Sequence, residues 1–263
     1  MFFKTNDGIR INYEDVGQGM PLIFLSGFGG NLIEWEQQQV FFRELGYRTI
    51  TMDYRNHGRS ARTSRGLRVA RLSLDLDNLI EKLQLTNVVL IGSSMGAAVI
   101  WSYLSLFGTK NVRGSVSIDQ SPYGLDDADW EFGALHITND KLLMDVNRIA
   151  SLKYTVGKIN ADLHEKLRRA ERDYPFDFVK NEPLMLDNLR QDWRDVLGYI
   201  QIPQLFLAGA KSPIWSPEHS TFCKEHVRDG YGEQFIFDDV GHLPHLEANQ
   251  EFNEVLRTWL QKL

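Results

Sequence analysis

Four apolar residues, Val88-Val89-Leu90-Ile91, run without a break into Gly92-Ser93-Ser94-Met95-Gly96, and that pentad opens an apolar segment with helical spacing, Ala97–Phe107. A short continuous apolar run reads as a strand buried on both faces, as in a parallel sheet with helices on either side. The turn from such a strand into a helix packed behind it has to be sharp. Side chains at Gly92 and Gly96 would collide with neighbouring backbone, so both positions need glycine. A central serine in this G-x-S-x-G turn sits in a strained conformation at a helix N-terminus, which favours developing negative charge. Ser94 is therefore the candidate nucleophile, because Ser93 occupies a position where the pattern accepts any residue.

The same strand-and-helix grammar repeats on both sides of this turn. Phe2–Lys4 and Ile9–Glu14 read as two strands joined at Asn6-Asp7-Gly8. Pro21–Leu25, Tyr47–Met52 and Val112–Ile118 read as strands, and Glu34–Leu45 and Val69–Leu83 as helices. From Ser121 to Asp195 the chain is charged and aromatic, with helical spacing and no clear strand. Strands return at Gln204–Ala208 and Gln234–Phe237, followed by an amphipathic helix over Glu247–Leu260. Alternation of this kind implies a mostly parallel central sheet with helices on both faces. The expected organisation is one core domain, residues 1–120 and 196–263, interrupted by a helical cap over 121–195.

Composition narrows the functional classes. A chain of 263 residues with 43% hydrophobic residues has enough apolar material for one sizeable core. Its formal net charge of −6 argues against a nucleic-acid partner. The lone Cys223 cannot form an internal disulfide, and no Cys/His spacing resembles a metal site. Neither a signal peptide nor a membrane span is evident. These features suggest a cytoplasmic protein, monomer or homodimer, that acts on a small molecule without cofactor or metal and without a membrane partner.

A serine nucleophile needs a base and donors for an oxyanion. The base is expected at His242, within Asp239-Val240-Gly241-His242-Leu243-Pro244, a loop between the last strand and the last helix that emerges at the carboxyl edge of the sheet. His245 reads as facing the start of the final helix. The backbone N–H of Met95, next to the nucleophile, is one expected oxyanion donor. The other is the N–H of Phe28, in the loop Ser26-Gly27-Phe28-Gly29-Gly30 after the first parallel strand.

Four blocks in order, Ser26–Gly30, Asp53-Tyr54-Arg55-Asn56-His57-Gly58-Arg59-Ser60, Gly92–Gly96 and Gly241–Pro244, resemble the α/β-hydrolase superfamily. The likeness is to the branch of esterases, non-haem chloroperoxidase-like perhydrolases and small carbon–carbon hydrolases. It implies the α/β-hydrolase fold with a helical cap and a Ser–His–acid triad. The chain departs from the pattern in having Ser26-Gly27 where His-Gly is usual. Asn56 stands where a glycine is usual, and asparagine tolerates left-handed backbone angles. The usual triad acid, an Asp after the strand that follows the cap, is replaced by Ser212. Some superfamily members carry the acid after the preceding strand, and Asp119 follows Ser117-Ile118 there. Asp119 is thus the expected acid, with Glu218 second. Asp238 and Asp239 are poorly placed to point at His242 from within its own loop.

Trp35 and Tyr123 rank first as substrate-pocket walls, Trp35 by its place just after the oxyanion loop and Tyr123 by its place just after Asp119. The expected function is hydrolysis of a small to medium carboxylic ester or lactone through an acyl-enzyme on Ser94. Two alternatives stand beside it: a cofactor-free dioxygenase of the same fold, in which Ser94 only helps bind substrate, and a non-catalytic ligand receptor.

Overall fold

The computed structural model describes residues 1–263. Eight strands form its sheet: β1 (Phe2–Lys4), β2 (Arg10–Val16), β3 (Pro21–Leu25), β4 (Arg48–Met52), β5 (Val88–Ser93), β6 (Val112–Ile118), β7 (Gln204–Gly209) and β8 (Gly232–Phe237). Their spatial order is β1-β2-β4-β3-β5-β6-β7-β8. β1 and β2 form an antiparallel hairpin, β2 pairs antiparallel with β4, and every later pairing is parallel.

The helices are α1 (Glu36–Glu44), α2 (Val69–Lys82), α3 (Met95–Phe107), α4 (Leu142–Ala150), α5 (Ala161–Asp173), α6 (Phe178–Arg190), α7 (Arg194–Tyr199), α8 (Glu218–His226), α9 (Pro244–Glu247) and α10 (Asn249–Leu260). None is long and apolar enough to cross a membrane. β3, β5 and β7 are buried at every residue, which is why they read as unbroken apolar runs rather than alternating ones.

Alternation survives in which face each residue serves. Ile23, Leu25 and Leu90 pack with Leu72 and Leu76 of α2 and Ile100 and Leu104 of α3. Leu22, Phe24, Val89 and Ile91 face the other way, against Phe42 of α1 and Phe252, Leu256 and Trp259 of α10. Burying each such side chain contributes roughly 1.5–3 kcal/mol, so the two layers hold the sheet from both sides.

The excursion between β6 and β7 has no ladder of its own, only isolated bridges. Leu125, Ile137, Leu142, Val146, Ile149, Met185 and Leu189 form a separate apolar cluster there, joined by Ile214 and Trp215 from beyond β7. The chain rejoins the main core at Trp193, Val196 and Leu197, so α7 already packs as a core element.

Two helices differ from the periodic reading. The segment expected as one helix from Glu34 begins as a 3-10 turn, Leu32–Trp35, because the Asn31 side chain accepts from the Ile33 N–H at 3.1 Å and tightens the entry; α1 starts only at Glu36. The terminal helix is split at Ala248, whose φ of −119° and ψ of 45° separate α9 from α10.

Candidate active site

Ser94 bridges β5 and α3 with φ 51° and ψ −124°, a region that costs a non-glycine residue about 1–3 kcal/mol unless its surroundings enforce it. The two flanking glycines enforce it. A Cβ on Gly92 would strike the Gly96 carbonyl, and one on Gly96 would strike the Leu25 carbonyl. The Ser94 N–H donates to Ile118 O at 2.8 Å, tying the turn to the end of β6. Ser93 points inward, fully buried with an unpartnered Oγ, whereas Ser94 lines a cavity.

That bond to Ile118 also places the next residue. Asp119 leaves β6 in a left-handed conformation, φ 46°, and its N–H donates to Leu207 O at 2.7 Å across to β7. Its carboxylate is wholly buried. Oδ2 accepts from His242 Nδ1–H at 2.6 Å and from Ser212 Oγ at 2.6 Å, and Oδ1 accepts from the Gly209 N–H at 3.0 Å. Burial opposes ionisation of Asp119. His219 and His242 outweigh it, and the carboxyl lies below its ordinary range. His219 Nε2 is 3.9 Å from Oδ1, beyond a hydrogen bond, so its influence acts through space. Ser212, standing where the superfamily usually has its acid, thus serves as a hydrogen-bond donor to the relocated carboxylate. Glu218 is exposed at the start of α8 with Ser216 Oγ as its partner, and Asp238 and Asp239 are exposed.

His242 is held from three sides. Its ring donates to Asp119, its backbone N–H donates to Tyr154 O at 2.8 Å, and the Tyr154 ring lies 5.5 Å from its own. Glu247 clasps the same region: Oε1 accepts from the Gly241 N–H at 3.1 Å, while Oε2 accepts from Val156 and Gly157 N–H at 2.7 and 2.8 Å. A Cβ on Gly209 would run into the Gly241 carbonyl, so the end of β7 and the histidine loop touch backbone to backbone. Because Nδ1–H is committed to Asp119, the Nε2 lone pair is the basic position, and His242 lines the same cavity as Ser94.

The loop Ser26–Gly30 lies directly beside Ser94. A Cβ on Gly27 would stand 3.1 Å from Ser94 Cβ. The Phe28 N–H has no partner within the chain, and Met95 is the first residue of α3, where N–H groups lack intrahelical acceptors. The Asp53 block braces this loop. The Asp53 carboxylate accepts from the Leu32 N–H at 2.9 Å, the Arg59 N–H at 2.9 Å and Asn12 Nδ2 at 2.8 Å. Asn56 adopts φ 68°, the left-handed conformation expected of it.

The cavity holds about 440 Å³ and is walled by Phe28, Phe176, Phe178, Tyr154, Ile149 and Met185, with Glu34, Glu171, Ser94 and His242 as its polar groups. Trp35 and Tyr123 are not part of it. Trp35 is fully buried, donates from Nε1 to Ser26 Oγ at 3.2 Å and stacks on His245 at 4.2 Å. Its large ring is the anchor under the oxyanion loop rather than a wall of the pocket. Tyr123 pairs with Asp192 and lies under the Arg194 guanidinium, 4.7 Å from its ring. Proximity in sequence misled at both positions. Glu34, one residue before Trp35, was within reach of the same logic, whereas nothing local marks Phe176 or Phe178.

Residues 22–255 match the family described as the alpha/beta hydrolase family. Over 118 residues, 45% of this chain, the sequence is 35% identical to a non-heme chloroperoxidase of Kitasatospora aureofaciens; the aligned segment spans 43% of that relative's length. Over 262 residues it is 25% identical to 3-oxoadipate enol-lactonase 2 of Acinetobacter baylyi, covering 98% of this chain and 96% of the other. An esterase (EaEST) from Exiguobacterium antarcticum superimposes with a TM-score of 0.88 over 99% of both chains at 24% identity, a likeness of fold.

Proposed function

This chain belongs to the α/β-hydrolase family, and on that premise we propose that it is a serine hydrolase that cleaves small to medium carboxylic esters or lactones through an acyl-enzyme on Ser94. The observation that carries the proposal is the 2.6 Å bond from His242 Nδ1 to the buried Asp119, which leaves Nε2 as a base in the cavity that Ser94 also lines. The esterase and enol-lactonase relatives support ester cleavage as the reaction class.

In this mechanism Ser94 Oγ attacks the ester carbonyl carbon as His242 Nε2 takes its proton. Asp119 holds the ring in the required tautomer and stabilises the imidazolium. The Phe28 and Met95 N–H groups take the oxyanion of the tetrahedral intermediate. Collapse breaks the bond to the alkoxy oxygen, which leaves as alcohol with the proton from His242. Water then gives a proton to His242 and its oxygen to the acyl carbon. A second collapse releases the carboxylic acid and restores Ser94.

A fluorophosphonate probe should label Ser94, and Ser94→Ala should remove both labelling and p-nitrophenyl ester turnover. An oxygenase working through His242 and Asp119 would instead survive Ser94→Ala and consume oxygen with a heteroaromatic substrate, which would overturn the hydrolase reading.

A further inference from the structure

The cavity beside Ser94 contains a carboxylate that the proposed reaction does not use. Glu34 is only 6% exposed, yet no donor in the chain hydrogen-bonds either of its oxygens; Oε1 is sealed and unpartnered. The nearest basic group, His245 Nε2, is 3.6 Å from Oε1, and neither ring nitrogen of His245 has a hydrogen-bond partner. Oε2 lies against Gly30 in the oxyanion loop, where a Cβ would approach it to 2.5 Å. A buried carboxylate without donors is costly to keep, and the fold gains no cap, ladder or strong ion pair from this one.

Its surroundings give it an occupant. Glu34 shares the wall with the rings of Phe28, Phe176 and Phe178, where Phe28 stands 4.9 Å from Phe176 and 5.6 Å from Phe178. Glu171, the second carboxylate on this cavity, accepts from the Phe176 N–H at 3.1 Å. No lysine or arginine lines the cavity. Aromatic faces and carboxylates that no lysine or arginine opposes form a receptor for positive charge.

Resting on the reading of Ser94 as nucleophile, we propose that Glu34 is a substrate-recognition residue and that the enzyme takes esters bearing an ammonium group. The ammonium sits between the Glu34 carboxylate and the phenyl faces of Phe28, Phe176 and Phe178. An ester bearing a carboxylate would bring a second anion into the same desolvated space and is rejected.

The test is a set of esters of equal length ending in trimethylammonium, tert-butyl or carboxylate, with that group placed on the acyl side in one series and on the alcohol side in the other. In the series that reaches Glu34, kcat/KM should rank ammonium over tert-butyl by about tenfold or more, with carboxylate last. Glu34→Gln should bring the ammonium-to-tert-butyl ratio close to one, and Glu34→Asp should keep part of it. Equal rates for the three esters in both series, or a preference indifferent to Glu34→Gln, would overturn the proposal. A flat wild-type ranking overturns the proposal even if the variants fold poorly.

Calorimetric binding of choline against 3,3-dimethylbutan-1-ol to Ser94→Ala protein separates this proposal from the one before it. A choline preference without any ester turnover would sink the nucleophile reading and leave Glu34 as an ammonium-binding residue. Ester turnover without a choline preference would sink this one alone.

Discussion

Acidification tests how the oxyanion loop is supported. His57 is 1% exposed. Its Nδ1–H donates to the Arg55 carbonyl at 2.9 Å, while Nε2 is sealed without a partner. Its ring centroid lies 6.2 Å from that of Phe28 and 4.7 Å from that of Phe176, so it backs the pocket without entering it. Burial, and to a lesser degree the charge of Arg62, overcome the carbonyl bond and push its pKa from 6.5 down to about 4. Between those values the unfolded chain binds a proton that the folded chain refuses. Stability therefore falls as pH drops from about 6.5 to about 4 and levels off below. The whole displacement is worth about 3 kcal/mol. The assay is urea unfolding of wild type and His57→Asn at intervals from neutral pH to about 4. Surface carboxylates slope both curves alike and cancel in the difference. Asn replaces the donor to Arg55 O but cannot titrate, so the stability gap between the two proteins should shift by about 3 kcal/mol in favour of the variant as pH falls. Parallel curves would show that His57 protonates in the folded state at no cost, and would refute the reasoning.

Asp119→Asn should lower kcat by about 10⁴-fold with the fold intact, because the amide can hold His242 in the wrong tautomer; Glu218→Gln should stay near wild type, and steady-state ester kinetics compare the two. Gly209→Ala should cost about 2–4 kcal/mol and most of the activity, because a methyl there must displace the Gly241 carbonyl and with it the His242 loop; thermal melts and ester turnover read both effects.

What could be read from the sequence follows from the range of the forces involved. The Ser94 turn is written in five consecutive residues, since its geometry depends on contacts from Gly92 and Gly96 that any strand–helix junction of this kind would make. The strands were legible because burial on both faces demands unbroken apolar runs, as in Val88–Ile91 and Pro21–Leu25. Asp119 needed a negative clue, a serine at position 212, and the structure gives that serine a physical role: its hydroxyl donates to the Asp119 carboxylate. The pocket was not legible. Phe28, Glu34, Tyr154, Phe176 and Phe178 meet only through the packing of the excursion on the core, and no short-range rule links residues 28 and 176. Trp35 and Tyr123 are near the site along the chain but outside its cavity, and a tryptophan beside a site serves the core as readily as the ligand.

The clasp around His242 limits how this enzyme can diversify. The imidazole belongs to the core through Asp119, but its peptide N–H belongs to Tyr154 of the excursion, and Glu247 stitches residues 156, 157 and 241 together. An excursion swinging outward as one rigid flap would carry His242 away from Ser94. Residues 154–157 are therefore a fixed post rather than part of a door. Changes in pocket shape that leave His242 in place have to come from the lining between Phe176 and Met185, where no backbone bond reaches the histidine.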